Sequence, residues 1–247
     1  MSDLLNLNVY PTYIFIIPST KESIKYRPFL HKEEKVLQLA KESNNMDEYL
    51  QAVKDTIKAC SFNKFDVDNA PTYDIEEFFI QLRAKSIGAK MTVTLVCQQP
   101  LEDGNVCGGT SECTFSLNDV HVKGDFVDAK DYIVKLNDEF SLELVPPNYD
   151  TLSKILSMRE NSEDADIIEV ISTMVKSIFS EKEVYTKKDY SNEDLKTFLN
   201  NLTSSQLDQV LEIIKNTPTI VYDIQDECPK CQKQITYRFT GLHDFFV

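Results

Sequence analysis

At 247 residues the chain is long enough for one large domain or two small ones around an ample core. A net charge of −14 gives it no simple electrostatic hold on DNA, RNA or an anionic membrane, which leaves protein surfaces of basic or mixed charge as the fitting partners. No stretch is long and apolar enough to span a bilayer, and the N-terminus lacks the basic region and small-residue cleavage site of a signal peptide.

The first elements expected are strands. Tyr13 to Ile17 and Ser23 to Arg27 are β-rich, with Pro18-Ser19-Thr20-Lys21 between them, and read as a hairpin stopped by Pro28. Helical spacing follows. Val36, Leu37, Leu39 and Ala40 mark a first helix, and Tyr49, Leu50, Val53, Ile57 and Cys60 a second. Asp74 can cap a third, containing Ile75, Phe78, Phe79 and Leu82 and ending at Ser86-Ile87-Gly88. Arg83 in this helix is placed either to pair with acids of the first helix or to face another protein.

From Lys90 the period becomes that of a strand. Met91, Val93, Leu95 and Cys97 share one parity, as do Cys113, Phe115 and Leu117. Val122, the run from Asp131 to Leu136, and the run from Phe140 to Val145 continue as strands, stopped by Pro146-Pro147. A helix capped by Ser162, with Glu163, Asp164 and Asp166 in its first turn, is expected to carry the stripe Ile167, Ile168, Ile171, Met174, Val175, Ile178 and Phe179. Ser191 and Thr203 can cap two shorter helices, the second with a Thr203–Gln206 capping box. Thr219 to Ile224 and Ile235 to Phe239 are the last strands.

These elements give an α+β fold in three parts: an N-terminal hairpin and helical region (1–89), a mainly antiparallel β region (90–150 and 217–247), and a helical insert (151–216).

Six cysteines in a chain without an export signal imply a reducing compartment, where Cys-x-x-Cys more often holds metal or does redox work than forms a static disulfide. Cys228-Pro229-Lys230-Cys231 has the two-residue spacer that turns both sulfurs toward one ion. Cys97 and Cys107 form a wider pair, with Asp103-Gly104-Asn105 as turn chemistry and Gly108-Gly109 free to take positive φ. A strand, cysteine pair, strand pattern thus occurs twice. It predicts one split zinc ribbon, with structural zinc on Cys97, Cys107, Cys228 and Cys231. Six plain reduced cysteines are the alternative. Cys113 and Cys60 read as core residues, with Cys113 a substitute ligand for the first pair.

Catalytic signatures are missing. His31, His121 and His243 stand singly, and no metalloprotease, nucleophile-elbow, P-loop or dinucleotide motif occurs. Glu33-Glu34, Glu76-Glu77 and Asp164 with Asp166 read as solvated helix faces or N-terminal charge. A thioredoxin-like site needs a helix opening at its first cysteine, whereas Gln232 to Phe239 is strand-like, and Asp226 and Glu227 oppose thiolate formation.

Three ordered stretches carry a family resemblance. They are Ile17-Pro18-Ser19 with Tyr26-Arg27-Pro28-Phe29 and Lys32-Glu33-Glu34-Lys35; Asp74-Ile75-Glu76 through Leu82-Arg83-Ala84-Lys85-Ser86-Ile87-Gly88; and Cys97 with Cys107-Gly108-Gly109, answered by Cys228 to Cys231 and Phe245-Phe246. Together they resemble the T-even-type phage baseplate protein family, the hub subunits and hub assembly proteins of contractile tails. The resemblance implies a non-enzymatic role in building the baseplate hub by binding other hub proteins. It implies a place in the host bacterial cytoplasm, in the virion tail baseplate, or both. Its length is closer to the assembly-factor type. A zinc-ribbon nucleic-acid module, a thiol redox protein and a small hydrolase are the competing classes. The acidic balance and the lack of a basic stripe count against the first.

Overall fold

The computed structural model describes residues 10–43, 45–101, 104–124, 132–149, 151, 167–241 and 245. Asp103, Asp131, Ser162, Glu163, Asp164, Asp166, His243 and Phe246 lie outside them. Two units divide the chain: Met1–Val67 with Tyr73–Lys123 and Thr219–Val247, and Asp68–Thr72 with Gly124–Pro218.

In the first unit, β1 (Tyr13–Ile16) and β2 (Ser23–Tyr26) pair antiparallel, with Tyr13 opposite Tyr26 and Ile16 opposite Ser23. The strand period sends Phe15 inward and leaves Ile14 and Ile16 exposed. Phe15 stacks on Phe78 with ring centroids 4.6 Å apart, and Tyr26 meets the same ring edge-on at 5.3 Å. Helices α1 (His31–Glu42), α2 (Met46–Cys60) and α3 (Thr72–Ser86) follow. The Asn45 side chain caps α2 by accepting from the N–H groups of Asp47 and Glu48.

Helix α3 is buried from Tyr73 to Ile80, and its acids are not a solvated face. Asp74 accepts from the Ser19 N–H at 2.9 Å and from the Ser19 hydroxyl, which ties the helix to the hairpin turn. Glu76 accepts from the Ile220 N–H at 3.2 Å. Glu77 accepts from the Val122 N–H at 2.8 Å and lies 2.9 Å from His121 Nδ1. Glu33 is buried as well: it pairs with Arg27 at 3.0 Å and accepts from the Leu30 N–H at 2.6 Å. These carboxylates sit inside because each meets backbone donors or a cation that would otherwise be left unsatisfied.

Two β-hairpins complete the unit. β3 (Lys90–Val96) pairs with β4 (Thr110–Ser116), and β10 (Thr219–Glu227) pairs with β11 (Gln234–Thr240), both antiparallel. β5 (Val122–Lys123) extends the second pair along β10. The hairpins meet through aromatic rings: Phe115 of β4 lies 4.9 Å from Tyr222 and 5.6 Å from Phe239.

The second unit holds β6 (Ile133–Lys135), β7 (Ser141–Leu144), β8 (Val175–Phe179) and β9 (Val184–Thr186), an antiparallel sheet in that spatial order. α4 (Ile167–Met174), α5 (Asn192–Asn200) and α6 (Ser204–Lys215) accompany it, around a core that includes Leu142, Ile171, Met174, Leu199 and Val210. Ser191 and Thr203 form the expected capping boxes. The stripe from Ile167 to Phe179 is not one helix. It ends at Met174, whose carbonyl accepts from the Val145 N–H at 2.7 Å, and Val175 to Phe179 pairs with β7 instead. Val175 and Ile178 sit opposite Leu144 and Leu142, where β-branched side chains pack well on a pleated surface. The segment 151–216 therefore carries strands as well as helices.

Candidate metal centre

The two hairpins of the first unit bring four sulfurs to one end. Cys97 directly follows β3 and Cys228 directly follows β10, while Cys107 and Cys231 precede β4 and β11. Each pair closes on its own backbone. The Gly108 N–H donates to the Cys97 carbonyl at 3.0 Å, and the Gln232 N–H donates to the Cys228 carbonyl at 2.8 Å. The residue after the second cysteine is left-handed in both, Gly108 at φ 62° and Gln232 at φ 57°. Glycine takes that conformation freely, so Gly108 meets the demand at no cost and Gln232 meets it under strain.

Cys97 Sγ lies 3.7 Å from Cys231 Sγ, and Cys107 Sγ lies 3.7 Å from Cys228 Sγ. All four sulfurs fall within 4.8 Å of one another. A disulfide needs ~2.05 Å between sulfurs, so neither contact is a bond. Four sulfurs at ~2.3 Å from a common centre stand about 3.8 Å apart along a tetrahedron's edge, the spacing that a tetrahedral thiolate site demands. Among the described residues no histidine or carboxylate joins the cluster. Cys97, Cys107 and Cys228 are buried and Cys231 is partly exposed.

Backbone amides face the sulfurs. The Cys231 N–H is the main influence on Cys228, opposed by burial; with the Lys230 N–H and the Cys231 and Cys107 thiols it holds Cys228 down to about 7. The Gln99 N–H draws the Cys97 thiol down, but burial and the three neighbouring thiols outweigh it and push Cys97 up to about 12. The four thiols thus shift one another's proton affinities, as expected where they share a small volume.

Two further residues shape the centre. Gly109 is pressed against the cluster: a Cβ there would stand 2.6 Å from Cys228 Sγ and 2.9 Å from Lys230 Cβ. Lys230 Nζ donates to the Cys107 carbonyl at 2.6 Å, which ties the Cys-x-x-Cys turn to the other pair. The Gly108-Gly109 dipeptide hints at the first, but only the fold reveals what a side chain would strike.

The other cysteines stand apart. Cys113 lies on β4 opposite Val93 and donates to the Asp226 carboxylate at 3.2 Å, so it does not stand in for Cys97 or Cys107. Burial, then Asp226, pushes its thiol up to about 11. Asp226 also accepts from the Ser111 hydroxyl, so its charge is spent in the sheet. Cys60 lies 3.5 Å from the Arg27 guanidinium, and burial pushes its thiol up to about 12 despite that cation. In neither does the surrounding charge overcome burial to give the ionised thiol of a reactive cysteine. A cleft of about 140 Å³ beside Cys97 is lined by Gln98, Gln99, Gln234 and Tyr237 among others, with no histidine or carboxylate. His31 is exposed beside Glu34, and His121 is held by Glu77.

A family model described as T4 bacteriophage base plate protein matches residues 10–247. Neither the curated proteins nor the solved structures include a match to the chain.

Proposed function

The chain belongs to the T4 bacteriophage base plate protein family, and from that premise we propose that it is a non-enzymatic baseplate hub assembly factor or hub subunit that binds other tail proteins and holds a structural zinc ion on Cys97, Cys107, Cys228 and Cys231. The observation that carries the zinc reading is the four-sulfur cluster, with 3.7 Å contacts between hairpins far apart in sequence. Zinc bound there would supply a tetrahedral crosslink between the two hairpins. Thiolates suit it, and a site whose four positions are all filled by protein leaves none for substrate or water. The same closure supports a role in binding rather than catalysis. The acidic chain, at −14, suits complementary basic patches on partner proteins and disfavours nucleic acid. Hub assembly takes place in the host cytoplasm, and persistence of the protein in the tail would make it a hub subunit.

Two measurements test this. Elemental analysis of the purified protein is expected to give one zinc per chain, and its absence, or iron in its place, rejects the zinc assignment. Affinity capture from infected lysate, compared with mass spectrometry of purified virions, is expected to recover other baseplate proteins in the first. Presence in the second separates subunit from transient factor. Recovery of nucleic acid without tail proteins would reject the assembly role.

A further inference from the structure

β11 is the outer strand of its sheet, in the spatial order β11, β10, β5. Two hydrogen bonds fix which way its backbone faces. The Cys228 N–H donates to the Lys233 carbonyl at 2.9 Å, and the Gly241 N–H donates to the Ile220 carbonyl at 3.0 Å. These are the next pairs beyond Glu227 opposite Gln234 and Val221 opposite Thr240, the two ends of the register. Hydrogen-bonded positions alternate with open ones along an antiparallel pair. Ile235, Tyr237 and Phe239 therefore bond to β10, while Gln234, Thr236 and Arg238 aim their N–H and C=O groups away from it. All three are exposed, and no described residue pairs with that edge.

Edge strands ordinarily carry charges or proline that stop other chains from pairing. β2, β4, β5 and β6 carry Lys25, Glu112, Lys123 and Lys135. β11 is seven residues of Gln, Ile, Thr, Tyr, Arg and Phe, with no acid, lysine or proline. Its single charge, Arg238, is taken up by Asp223 at 2.7 Å. In a chain of net charge −14, this edge lets a second copy approach without setting like charges against each other.

We propose that β11 pairs with β11 of a second copy, antiparallel across a two-fold axis at Thr236. The strand is self-complementary in that register, as a two-fold interface requires. Thr236 meets Thr236 of the second copy, and Gln234 meets Arg238, so every outward group of these residues exchanges N–H···O bonds. Between them Ile235 stands opposite Tyr237 of the second copy, a β-branched and aromatic pair at the closer, non-hydrogen-bonded spacing. Tyr237 is 45% exposed, so pairing covers a ring that is otherwise half in water. There is room for it: a cleft of about 140 Å³ lies beside Ile235, with Leu95 and Val96 in its wall. The inference goes beyond the hub reading, and its test needs neither that assignment nor the zinc.

Sedimentation of the full chain over a concentration series is expected to show a reversible dimer. Thr236→Pro removes an outward N–H and leaves the bonds to β10 in place, a position where an edge strand tolerates proline. It is expected to weaken the dimer at least ~10-fold with the far-ultraviolet circular dichroism unchanged. The register has its own readout. Thr236→Cys is expected to form a disulfide across the axis on equilibration with oxidised glutathione, since a hydrogen-bonded pair stands ~5.5 Å apart at Cα. Arg238→Cys, whose counterpart in the second copy lies opposite Gln234, is expected not to crosslink. Should Thr236→Pro misfold, the crosslinks decide. A chain that stays monomeric at every concentration overturns the proposal in favour of a strand from another protein. So does a dimer that a folded Thr236→Pro leaves as tight as the parent, or a crosslink in Arg238→Cys with none in Thr236→Cys.

Discussion

Gly109 and Cys228 are neighbours in space because two hairpins far apart in sequence converge, and a Cβ on Gly109 would reach to 2.6 Å from Cys228 Sγ. Gly109→Ala is therefore expected to push apart the sulfurs that the proposed ion requires. The clash falls on a sulfur fixed by three others and on Lys230 Cβ, not on the free end of a flexible chain. Overpacking of this kind costs about 1–3 kcal/mol before any loss of metal is counted. Gly108→Ala is the contrast. Its nearest neighbour to an added Cβ is the Val106 carbonyl at 4.0 Å, so only the backbone strain at φ 62° remains, about 1–2 kcal/mol. Metal content by elemental analysis should fall in Gly109→Ala and hold in Gly108→Ala, with melting temperature reduced in both.

Removing the proposed ion should loosen the clasp between the hairpins. Binding of structural zinc to small sites is worth on the order of 10–16 kcal/mol, so a strong chelator at neutral pH is expected to lower the melting temperature sharply. Cys228→Ser should lose the metal and Cys113→Ser should keep it, since Cys113 is bonded to Asp226 and stands outside the cluster. Cobalt substitution gives a direct reading. Four thiolates around Co(II) yield intense tetrahedral visible bands, expected in the parent and in Cys113→Ser and absent from Cys228→Ser.

The centre was legible in the sequence because its signal is local twice over. Each cysteine pair borders alternating strands, and of the Gly108-Gly109 pair it is Gly108 alone that takes the positive φ. The wider spacing of Cys97 and Cys107 left Cys113 open as a substitute, and only the register of β4, with Cys113 opposite Val93, excludes it. The acids of α3 hide their role for a related reason. Glu76 and Glu77 look like a solvated pair by type, and nothing local tells that the N–H groups of Ile220 and Val122 reach them from segments far along the chain. The stripe from Ile167 to Phe179 fits a helix by period alone. The pairing of Val175 and Ile178 with β7 is tertiary and overrides it.

Glu77 is expected to matter for folding more than its charge suggests. It takes the Val122 N–H at one oxygen and His121 at the other, and so anchors the start of β5 to α3. Glu77→Ala leaves the Val122 N–H without its acceptor and should cost about 1–3 kcal/mol, while the exposed His121 can turn to water. Glu77→Gln keeps a carbonyl acceptor and should cost less. Urea titration with an unchanged slope would confirm a loss of native contacts. Equal costs for the two variants would mean that the contact with His121, not the backbone bond, is what Glu77 supplies.

The Arg27–Glu33 pair gives the fold an acid-sensitive contact. Burial alone would raise the Glu33 carboxyl, but the Arg27 hydrogen bond, the Leu30 N–H and the charges of Arg27 and Lys32 outweigh it and hold Glu33 below its ordinary value of 4.5. A carboxylate whose folded value lies below its unfolded value binds fewer protons when folded. Its stabilising contribution is therefore fully present above 4.5 and is lost as pH falls through the folded value. Glu33→Gln removes that dependence and leaves Arg27 buried beside Cys60 without a counter-charge, at an expected cost of ~3 kcal/mol at neutral pH. Chemical denaturation at neutral pH and at pH values below 4.5 should show the parent and Glu33→Gln converging as the pH falls. A gap between them that stays constant down to the acid limit would mean that the pair is held by packing rather than by its charge.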